Sequence, residues 1–329
     1  MVTATRPVYR VIFPGVLLGV LALLVMTILG DTSLVAFHFA NFRWQYFVFA
    51  LIFNVLNHIL RFAKHCYHLS HSGVKRLSFW RKLKLFLSAG ALSTTPLRVS
   101  ESFKSVWLSQ ASGISLNVAD SLHLLDRTSD ILSVLVLAAA GTMAFPSFWP
   151  FFLIVFLLFL GSTLSVQIKT AGFRSRKSGG LETNVKDLSH QLQKCVENNP
   201  GAFSLPYMTV TLLLGVMSWL AQGASLLFIL VGFGLEPNLT LVAIACLVLS
   251  FSMLMGLISK LPGGLGVIEL AMAALLTILL NFRPELAVAT TILFRLATFW
   301  IDLLFGILFW SVTNKPQRLN QKAGRIVQS

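Results

Sequence analysis

The chain has 329 residues, of which 56% are hydrophobic and only 12% are charged, and its mean hydropathy is +0.78. This composition excludes an ordinary soluble domain, in which about a quarter of the residues are charged. A formal net charge of +14 would suggest nucleic acid for a soluble protein, but Lys and Arg also collect on the cytoplasmic loops of membrane proteins. We therefore expect a polytopic membrane protein without a nucleic-acid partner.

Apolar runs of about twenty residues, the length that crosses a bilayer as a helix, recur along the chain. The first resembles a signal peptide, but it is too long for a typical h-region and no A-x-A site ends it, so we interpret it as an uncleaved span. The predicted fold is an all-α bundle in a single membrane domain over 1–329, with about eight transmembrane helices and no soluble catalytic domain. The predicted spans are 11–30, 44–61, 127–145, 148–168, 205–232, 239–259, 264–281 and 286–312.

The basic residues predict the topology of these spans. All but four of the 26 Lys and Arg residues fall in the segments 1–10, 61–126, 169–204, 260–263 and 313–329. The four exceptions are Arg43, Arg127, Arg283 and Arg295. Because Lys and Arg are enriched in cytoplasmic loops, both termini, the loop 169–204 and the basic tail 313–329 are expected to be cytoplasmic.

The segment 85–125 combines a short apolar stretch, LFLSAGALSTTP, with amphipathic sequence. The apolar part has about half the length needed to cross a bilayer, which predicts a re-entrant or interfacial helical segment. Pro96 ends a helix, and Arg98, Glu101 and Lys104 then follow at a three-residue spacing that places them on one helical face. A helix start with basic neighbours suits an anion such as a phosphate. The alternative is an interfacial helix start with a local ion pair.

A second charged motif, LLDRTSD at 124–130, lies where a span begins. Arg127 could reach a lipid headgroup while Asp126 and Asp130 hold its side chain. The alternative is a solvated salt bridge at the mouth of the helix.

The motif LPGGLGVIE at 261–269 breaks the helical pattern between two apolar stretches. Pro262, Gly263, Gly264 and Gly266 all weaken a helix, and the new helix that follows starts with unpaired N–H groups. Glu269 in the first turn could stabilise the helix dipole. Alternatively it faces a cavity, where it pairs with a basic residue, binds a cationic headgroup or exchanges protons.

Arg295 is the one basic residue deep within a predicted span, so it needs a partner. Glu269, Asp302 and a lipid phosphate are the candidates, and Arg295, Thr298 and Asp302 are predicted to line one helical face. A buried structural Arg–acid pair is the alternative to a functional role.

No metal, cofactor or catalytic residue is predicted. His65, His68 and His71 with Cys66 match no standard metal spacing, and we interpret them as an interfacial basic stretch. The three cysteines show no disulfide or zinc pattern.

The four motifs together resemble a known family. TTPLRVSESFK is similar to its pattern P-x-R-x-G-E-x-x-R, LLDRTSD to its acid-Arg-x-x-Asp element, LPGGLGVIE to its P-G-G-x-G-x-x-E signature, and FRLATFWIDLLFG to its last Arg-bearing span. All four occur in the order of the lysylphosphatidylglycerol synthase transmembrane, flippase-like family, and the resemblance covers roughly residues 10–312. Ser100 replaces the Gly of the first pattern and Lys104 its second Arg, which keeps the charge and loses the bidentate fork.

The resemblance implies a non-enzymatic lipid translocase of the bacterial inner membrane that moves a phosphate-bearing or aminoacylated lipid. Its partner would be an anionic phospholipid or a polyprenyl-phosphate lipid, and the basic residues would hold the phosphate while the glutamates orient them or change protonation. The alternative is an accessory or scaffold protein that recruits enzymes of an envelope glycolipid or polysaccharide pathway, and a lipid-linked transferase ranks last. The predicted binding residues are Arg98, Glu101, Lys104, Arg127, Asp130, Gly263, Gly264, Glu269 and Arg295.

Overall fold

A computed structural model describes residues 9–72, 74, 77–90, 97–154, 156–157, 204–259 and 261–313. These residues form helices and connecting turns without a strand, which confirms the all-α prediction. The helices are α1 Tyr9–Leu29, α2 Thr32–Ala40, α3 Trp44–His71, α4 Phe79–Gly90, α5 Leu97–Ser112, α6 Leu116–Ala144, α7 Leu205–Gly232, α8 Leu239–Ser259, α9 Val267–Leu280, α10 Pro284–Arg295 and α11 Ile301–Thr313.

Five helical segments of the described chain are long and apolar enough to cross a membrane. They are Trp44–His71, Leu205–Gly232, Leu239–Ser259, Pro262–Leu280 and Pro284–Phe309. The predicted spans 11–30 and 127–145 coincide with α1 and with the second half of α6. The predicted span 148–168 continues beyond residue 157, outside the described residues, as do most of the loop 169–204 and of the tail 313–329. The number of eight spans therefore stays a prediction.

The core of the bundle forms around α8. An almost continuous run of α8, from Ile244 to Leu254, is buried, because its side chains pack against α6, α7 and α9. A helix that is apolar on all sides is expected in such a central position. By contrast, α3 lies at the periphery and exposes apolar side chains such as Val48, Ile52 and Ile59, the composition expected of a lipid-facing surface.

Two elements differ from the predicted boundaries. The predicted loop between the first two spans contains α2, whose start is capped by Asp31. The Asp31 carboxylate accepts hydrogen bonds from the Ser33 backbone N–H at 3.0 Å and from the Ser33 hydroxyl at 2.6 Å, and these bonds lower the pKa of Asp31. The second difference is α3, which continues ten residues beyond its predicted end at 61, so Lys64 and His68 belong to a long helix.

The predicted re-entrant or interfacial segment 85–125 contains the end of α4, the whole of α5 and the start of α6. As predicted from Pro96, a new helix begins at Leu97, while the capping residues 93–95 lie outside the described part. α4 packs closely on α11, since a Cβ added at Gly90 would lie 3.2 Å from the backbone carbonyl oxygen of Asp302. Whether this segment is re-entrant or interfacial stays a prediction.

Candidate functional site

The polypeptide breaks its helical path between α8 and α9. A single 3₁₀ turn, Pro262–Gly264, precedes α9, and the turn and the following residues use left-handed backbone angles. The φ angles are +62° at Gly263, +64° at Gly264 and +86° at Gly266, a region that residues with a Cβ rarely adopt. α9 has 14 residues and is therefore only about 21 Å long, whereas a hydrocarbon core is about 30 Å thick. The break therefore lies at membrane depth if α9 reaches the opposite surface.

Gly264 is also a packing residue. A Cβ added there would lie 2.5 Å from Ile268 Cδ1 and 3.1 Å from the Cα of Gly256 on α8. The glycines thus allow the turn to approach α8 more closely than any other residue type would. The predicted contact of Gly263 and Gly264 with a substrate stays a prediction, whereas the packing of Gly264 follows directly from these distances.

Glu269 uses both carboxylate oxygens at the start of α9. Oε2 accepts a hydrogen bond from the backbone N–H of Gly266 at 2.7 Å, and Oε1 accepts one from Arg295 Nε at 2.6 Å. The first bond caps the helix start, so Glu269 is the dipole-stabilising residue of one interpretation. The second bond makes it the buried partner of a base, which is one part of the other interpretation, while the cavity in that interpretation stays a prediction.

Arg295 and Glu269 form what we call the deep pair. The two residues are only 3% and 1% exposed, and the guanidinium carbon of Arg295 also lies 4.3 Å from the centre of the Phe299 ring. Among the described residues, the Nη2 atom of Arg295 is buried and has no hydrogen-bond partner. A buried donor without a partner costs about 1–3 kcal/mol. The deep pair therefore keeps a donor that a ligand oxygen can satisfy.

The predicted shared face of Arg295, Thr298 and Asp302 assumed a regular helix, and it stays a prediction. A π-helical turn, Leu296–Trp300, separates Arg295 from Asp302 and changes the register of α11 relative to α10. Asp302 Oδ1 consequently contacts α3, where it accepts hydrogen bonds from Asn54 Nδ2 at 3.0 Å and His58 Nε2 at 2.5 Å. Single π-helical turns of this kind are frequent at functional sites.

A second group of charges joins α3 to α6, and we call it the α3–α6 cluster: Arg61, Lys64, Asp126 and Asp130. Lys64 is 1% exposed and contacts both aspartates, Asp130 through a short hydrogen bond and Asp126 Oδ1 at 3.0 Å. Arg61 Nη1 donates to Asp130 Oδ2 at 3.0 Å. Two bases and two acids thus neutralise one another at the interface between these helices.

Several side chains surround this cluster. His68 shares a short hydrogen bond with the hydroxyl of Tyr207 on α7, and its Nε2 lies 3.5 Å from Asp126 Oδ1. Arg61 also donates from Nε to Asn57 Oδ1 at 3.0 Å, and its guanidinium lies 4.7 Å from the centre of the Trp219 ring. The cluster therefore involves α7 as well as α3 and α6.

The α3 residues in these contacts form a polar stripe along one side of the helix. We define the α3 stripe as Asn54, Asn57, Arg61, Lys64 and His68, which recur every three or four residues. This spacing places them on one helical face over about 21 Å. The earlier interpretation of His65, His68 and His71 as an interfacial basic stretch does not hold for His68, which is buried, as is Lys64. The period of the stripe is visible in the sequence and would have revealed the face.

The structure assigns different surroundings to the nine predicted binding residues. Glu269 and Arg295 pair beside the glycine turn, and Asp130 belongs to the α3–α6 cluster. Lys104 on α5 is half-buried and interacts electrostatically with His65 and His123. Arg127 follows Asp126 on α6. The side chains of Arg98 and Glu101 lie outside the described residues, although the backbone of both is in α5. The missed residues with the most contacts are Arg61 and Lys64.

Long apolar helices, a helix interrupted by glycines and buried charge pairs define a multi-pass helical membrane protein with a polar interior. Comparison with known families identifies the family of this membrane protein. Residues 12–306 match the family described as lysylphosphatidylglycerol synthase TM region, and the chain belongs to this family. The family is a membrane domain linked to lipid or polysaccharide synthesis.

One curated relative is similar over a shorter stretch. A UPF0104 membrane protein from Methanothermobacter thermautotrophicus is 31% identical over 102 residues. That stretch is 31% of this chain and 29% of the relative, so the chain matches less than a third of the relative's length.

Proposed function

We propose that this chain is a lipid translocase that moves a lipid with a phosphate-bearing or aminoacylated headgroup across the bacterial inner membrane. The observation that carries the proposal is the deep pair: a buried arginine, at a helix break, with one donor left unused. A lipid phosphate supplies the oxygen that this donor lacks. The membership in a family linked to lipid or polysaccharide synthesis supports the same substrate class.

In this proposal the deep pair recognises the headgroup. Glu269 holds the guanidinium of Arg295 through Nε, which orients Nη2 toward the ligand. The packing of Gly264 against Gly256 and Ile268 fixes the turn beside the pair, and Gly263 supplies a backbone position without a side chain for the headgroup. The α3 stripe provides polar partners over about 21 Å of the membrane, while the acyl tails stay in lipid.

The proposal places both termini in the cytoplasm, because the Lys and Arg residues concentrate on that side of the predicted topology. The headgroup then enters from the cytoplasmic leaflet, through the side that the α3–α6 cluster occupies. In this proposal the chain binds and moves its lipid without changing it covalently.

The test is a leaflet assay in proteoliposomes that contain a fluorescent anionic lipid and a bilayer-impermeant quencher. Wild-type protein is compared with Glu269→Gln and Arg295→Ala. Arg283→Ala is the matched control, because Arg283 is an exposed arginine that precedes α10 and makes no capping side-chain bond. We expect wild type and the control to accelerate transbilayer exchange and the two deep-pair variants to lose most of that acceleration while they remain folded.

Two outcomes would contradict the proposal. Exchange no faster than in protein-free liposomes, for both phosphatidylglycerol and polyprenyl-phosphate probes, would favour the scaffold function, in which enzymes of an envelope pathway bind the basic loops. Equal exchange by wild type and by both folded deep-pair variants would support a translocase, but it would show that the deep pair is not part of the lipid-binding site.

A further inference from the structure

His58 and Asp302 form an acid–histidine pair outside the residues used so far. His58 Nε2 donates to Asp302 Oδ1 at 2.5 Å, and Asn54 Nδ2 donates to the same oxygen at 3.0 Å. Because the carboxylate only accepts, the proton of the neutral imidazole lies on Nε2, and Nδ1 is the nitrogen that can take a second proton. The pair lies in the middle of α3, about 20 Å along the helix from either end.

The exposure of this pair differs from that of the deep pair. The side chains of His58 and Asp302 are 31% and 26% exposed, against 3% and 2% for Arg295 and Glu269. The His58–Asp302 pair is therefore less enclosed by protein than the deep pair. Asn54 Oδ1 beside it is buried without a hydrogen-bond partner in the described chain, which leaves an acceptor for a water molecule at this position.

The charged groups near His58 come from several helices. α11 contributes Asp302, which interacts electrostatically with Arg295 of α10, and Arg295 in turn binds Glu269 of α9. On α3 itself, Arg61 is neutralised by Asp130 of α6. α4 presents the ring of Phe86 to His58, with 6.4 Å between ring centres. α7 contains no Asp, Glu, Lys, Arg or His.

We propose that His58 and Asp302 form a proton-binding site that is linked to anion binding at Arg295. The inference rests on the proposed function, because it requires an anionic headgroup at the deep pair. When His58 is neutral, Glu269, Arg295 and Asp302 carry a net charge of −1. When His58 is protonated, these three groups and His58 together carry a net charge of zero. An anion at Arg295 adds a further negative charge and therefore favours protonated His58. In that form Nδ1 of His58 has taken a proton, and the Nε2–H group still donates its hydrogen bond to Asp302.

Linkage makes this effect reciprocal: an anion that promotes proton uptake must bind more tightly at lower pH. The chemical consequence is that each anionic headgroup moves together with up to one proton. The site thereby supplies a means by which a proton gradient can drive lipid movement without nucleotide hydrolysis.

The experiment is isothermal titration calorimetry of the full chain in detergent with dioctanoyl phosphatidylglycerol as the anionic probe. Titrations at pH 6.5 in MES and in imidazole, two buffers with different ionisation enthalpies, count the protons taken up for each bound lipid. The variants are His58→Gln and Asp302→Asn, which remove the two members of the site separately. His71→Gln is the matched control, because His71 is exposed at the end of the same helix.

For wild type and the His71 control we expect an uptake between zero and one proton per lipid, and binding about three- to tenfold tighter at pH 6 than at pH 7.5. His58→Gln and Asp302→Asn should still bind the probe, with the uptake and the pH dependence lost. Binding by wild type without proton uptake, or uptake that persists in both variants, would overturn the inference and leave the translocase proposal intact. If wild type bound the probe at neither pH, both the proton-linked site and the translocase proposal would be refuted.

Discussion

The deep pair and the α3–α6 cluster solve the same problem, the burial of charge within an apolar bundle, in different ways. Glu269 and Arg295 are one acid and one base, sealed from solvent, and each depends on the other. In the α3–α6 cluster, Lys64 contacts two aspartates and Asp130 contacts two bases, and the carboxylates are 21–33% exposed. In the cluster, Lys64 and Asp130 each have two charged partners and the carboxylates are partly exposed. The deep pair has one ion contact and is enclosed by protein.

This difference indicates different roles. A redundant set of ion pairs with partly exposed carboxylates can hold α3 against α6 even when one contact is lost. A sealed pair with a single ion contact and a spare donor at Nη2 is a costly way to hold two helices together. Besides the ion contact, the two charges have only the Gly266 N–H and the Phe299 ring to offset their desolvation in the described chain. This contrast supports the proposed role of the deep pair in ligand recognition, with the cluster mainly in helix association.

The largest expected effect is the loss of one member of the deep pair. Arg295→Ala leaves Glu269 charged and buried, and the removal of one partner of a buried ion pair costs about 3–5 kcal/mol. We expect the free energy of unfolding, measured by SDS titration in mixed micelles, to fall by that amount. The double variant Glu269→Gln with Arg295→Met removes both charges and should recover most of the loss.

The double variant also separates stability from function. It should fold as well as wild type and still fail to accelerate lipid exchange, because the donor at Nη2 is gone. Recovery of exchange together with stability would contradict the assignment of ligand recognition to the deep pair. A single Arg295→Ala variant as stable as wild type would contradict the description of the pair as sealed and irreplaceable.

The backbone beside the deep pair gives the next largest effect. Gly264→Ala forces a residue with a Cβ into a left-handed φ of +64° and places that Cβ 2.5 Å from Ile268 Cδ1. Strain of about 1–2 kcal/mol and overpacking of about 1–3 kcal/mol combine to lower the stability by about 2–5 kcal/mol.

Gly266→Ala is the matched control for Gly264→Ala. Its φ is +86° and its ψ is −47°, and nothing lies within 4 Å of the added Cβ, so only backbone strain of about 1–3 kcal/mol remains. The difference between the two variants, read from the same SDS titrations, measures the close approach of the turn to Gly256 on α8. Equal losses in both variants would show that this packing contributes nothing.

The two regions also differ in how far the sequence predicts them. The helix break, the position of Glu269 in the first turn and the need of Arg295 for a partner all follow from local rules: glycine and proline weaken helices, and a charge in an apolar span must be paired. The pairing of Asp302 with α3 does not follow, because a single π turn alters the register of α11 without a local sequence signal.

The α3–α6 cluster was missed for a different reason. Arg61, Lys64 and His68 are polar residues at the end of an apolar stretch, and composition alone places such residues in a loop. Only their three- and four-residue spacing, continuous with Asn54 and Asn57, indicates a helical face. The partners on α6 then depend on how the helices pack, which no local pattern contains.

A third prediction tests the redundancy of the α3–α6 cluster. Lys64→Met removes the central base with a similar volume, but Asp130 keeps its bond to Arg61 and Asp126 is 33% exposed to solvent. We expect a loss of about 1–3 kcal/mol in the SDS titration, smaller than for Arg295→Ala, because the remaining acids are partly solvated. A loss as large as that of Arg295→Ala would show that the cluster is not redundant and would remove the basis for treating the two regions differently.

The smallest effect is expected at the edge of the cluster, where Tyr207 of α7 binds His68. Tyr207→Phe keeps the stacked ring contact with Tyr67, whose ring centre is 5.4 Å away, and removes only the hydroxyl that bonds to His68 Nδ1. The loss of one such hydrogen bond costs about 0.5–1.5 kcal/mol. Tyr67→Phe serves as the control on the other member of the stack. If Tyr207→Phe destabilised the protein more than Lys64→Met, the bond between α3 and α7, and not the ion pairs with α6, would be the main polar contact of α3.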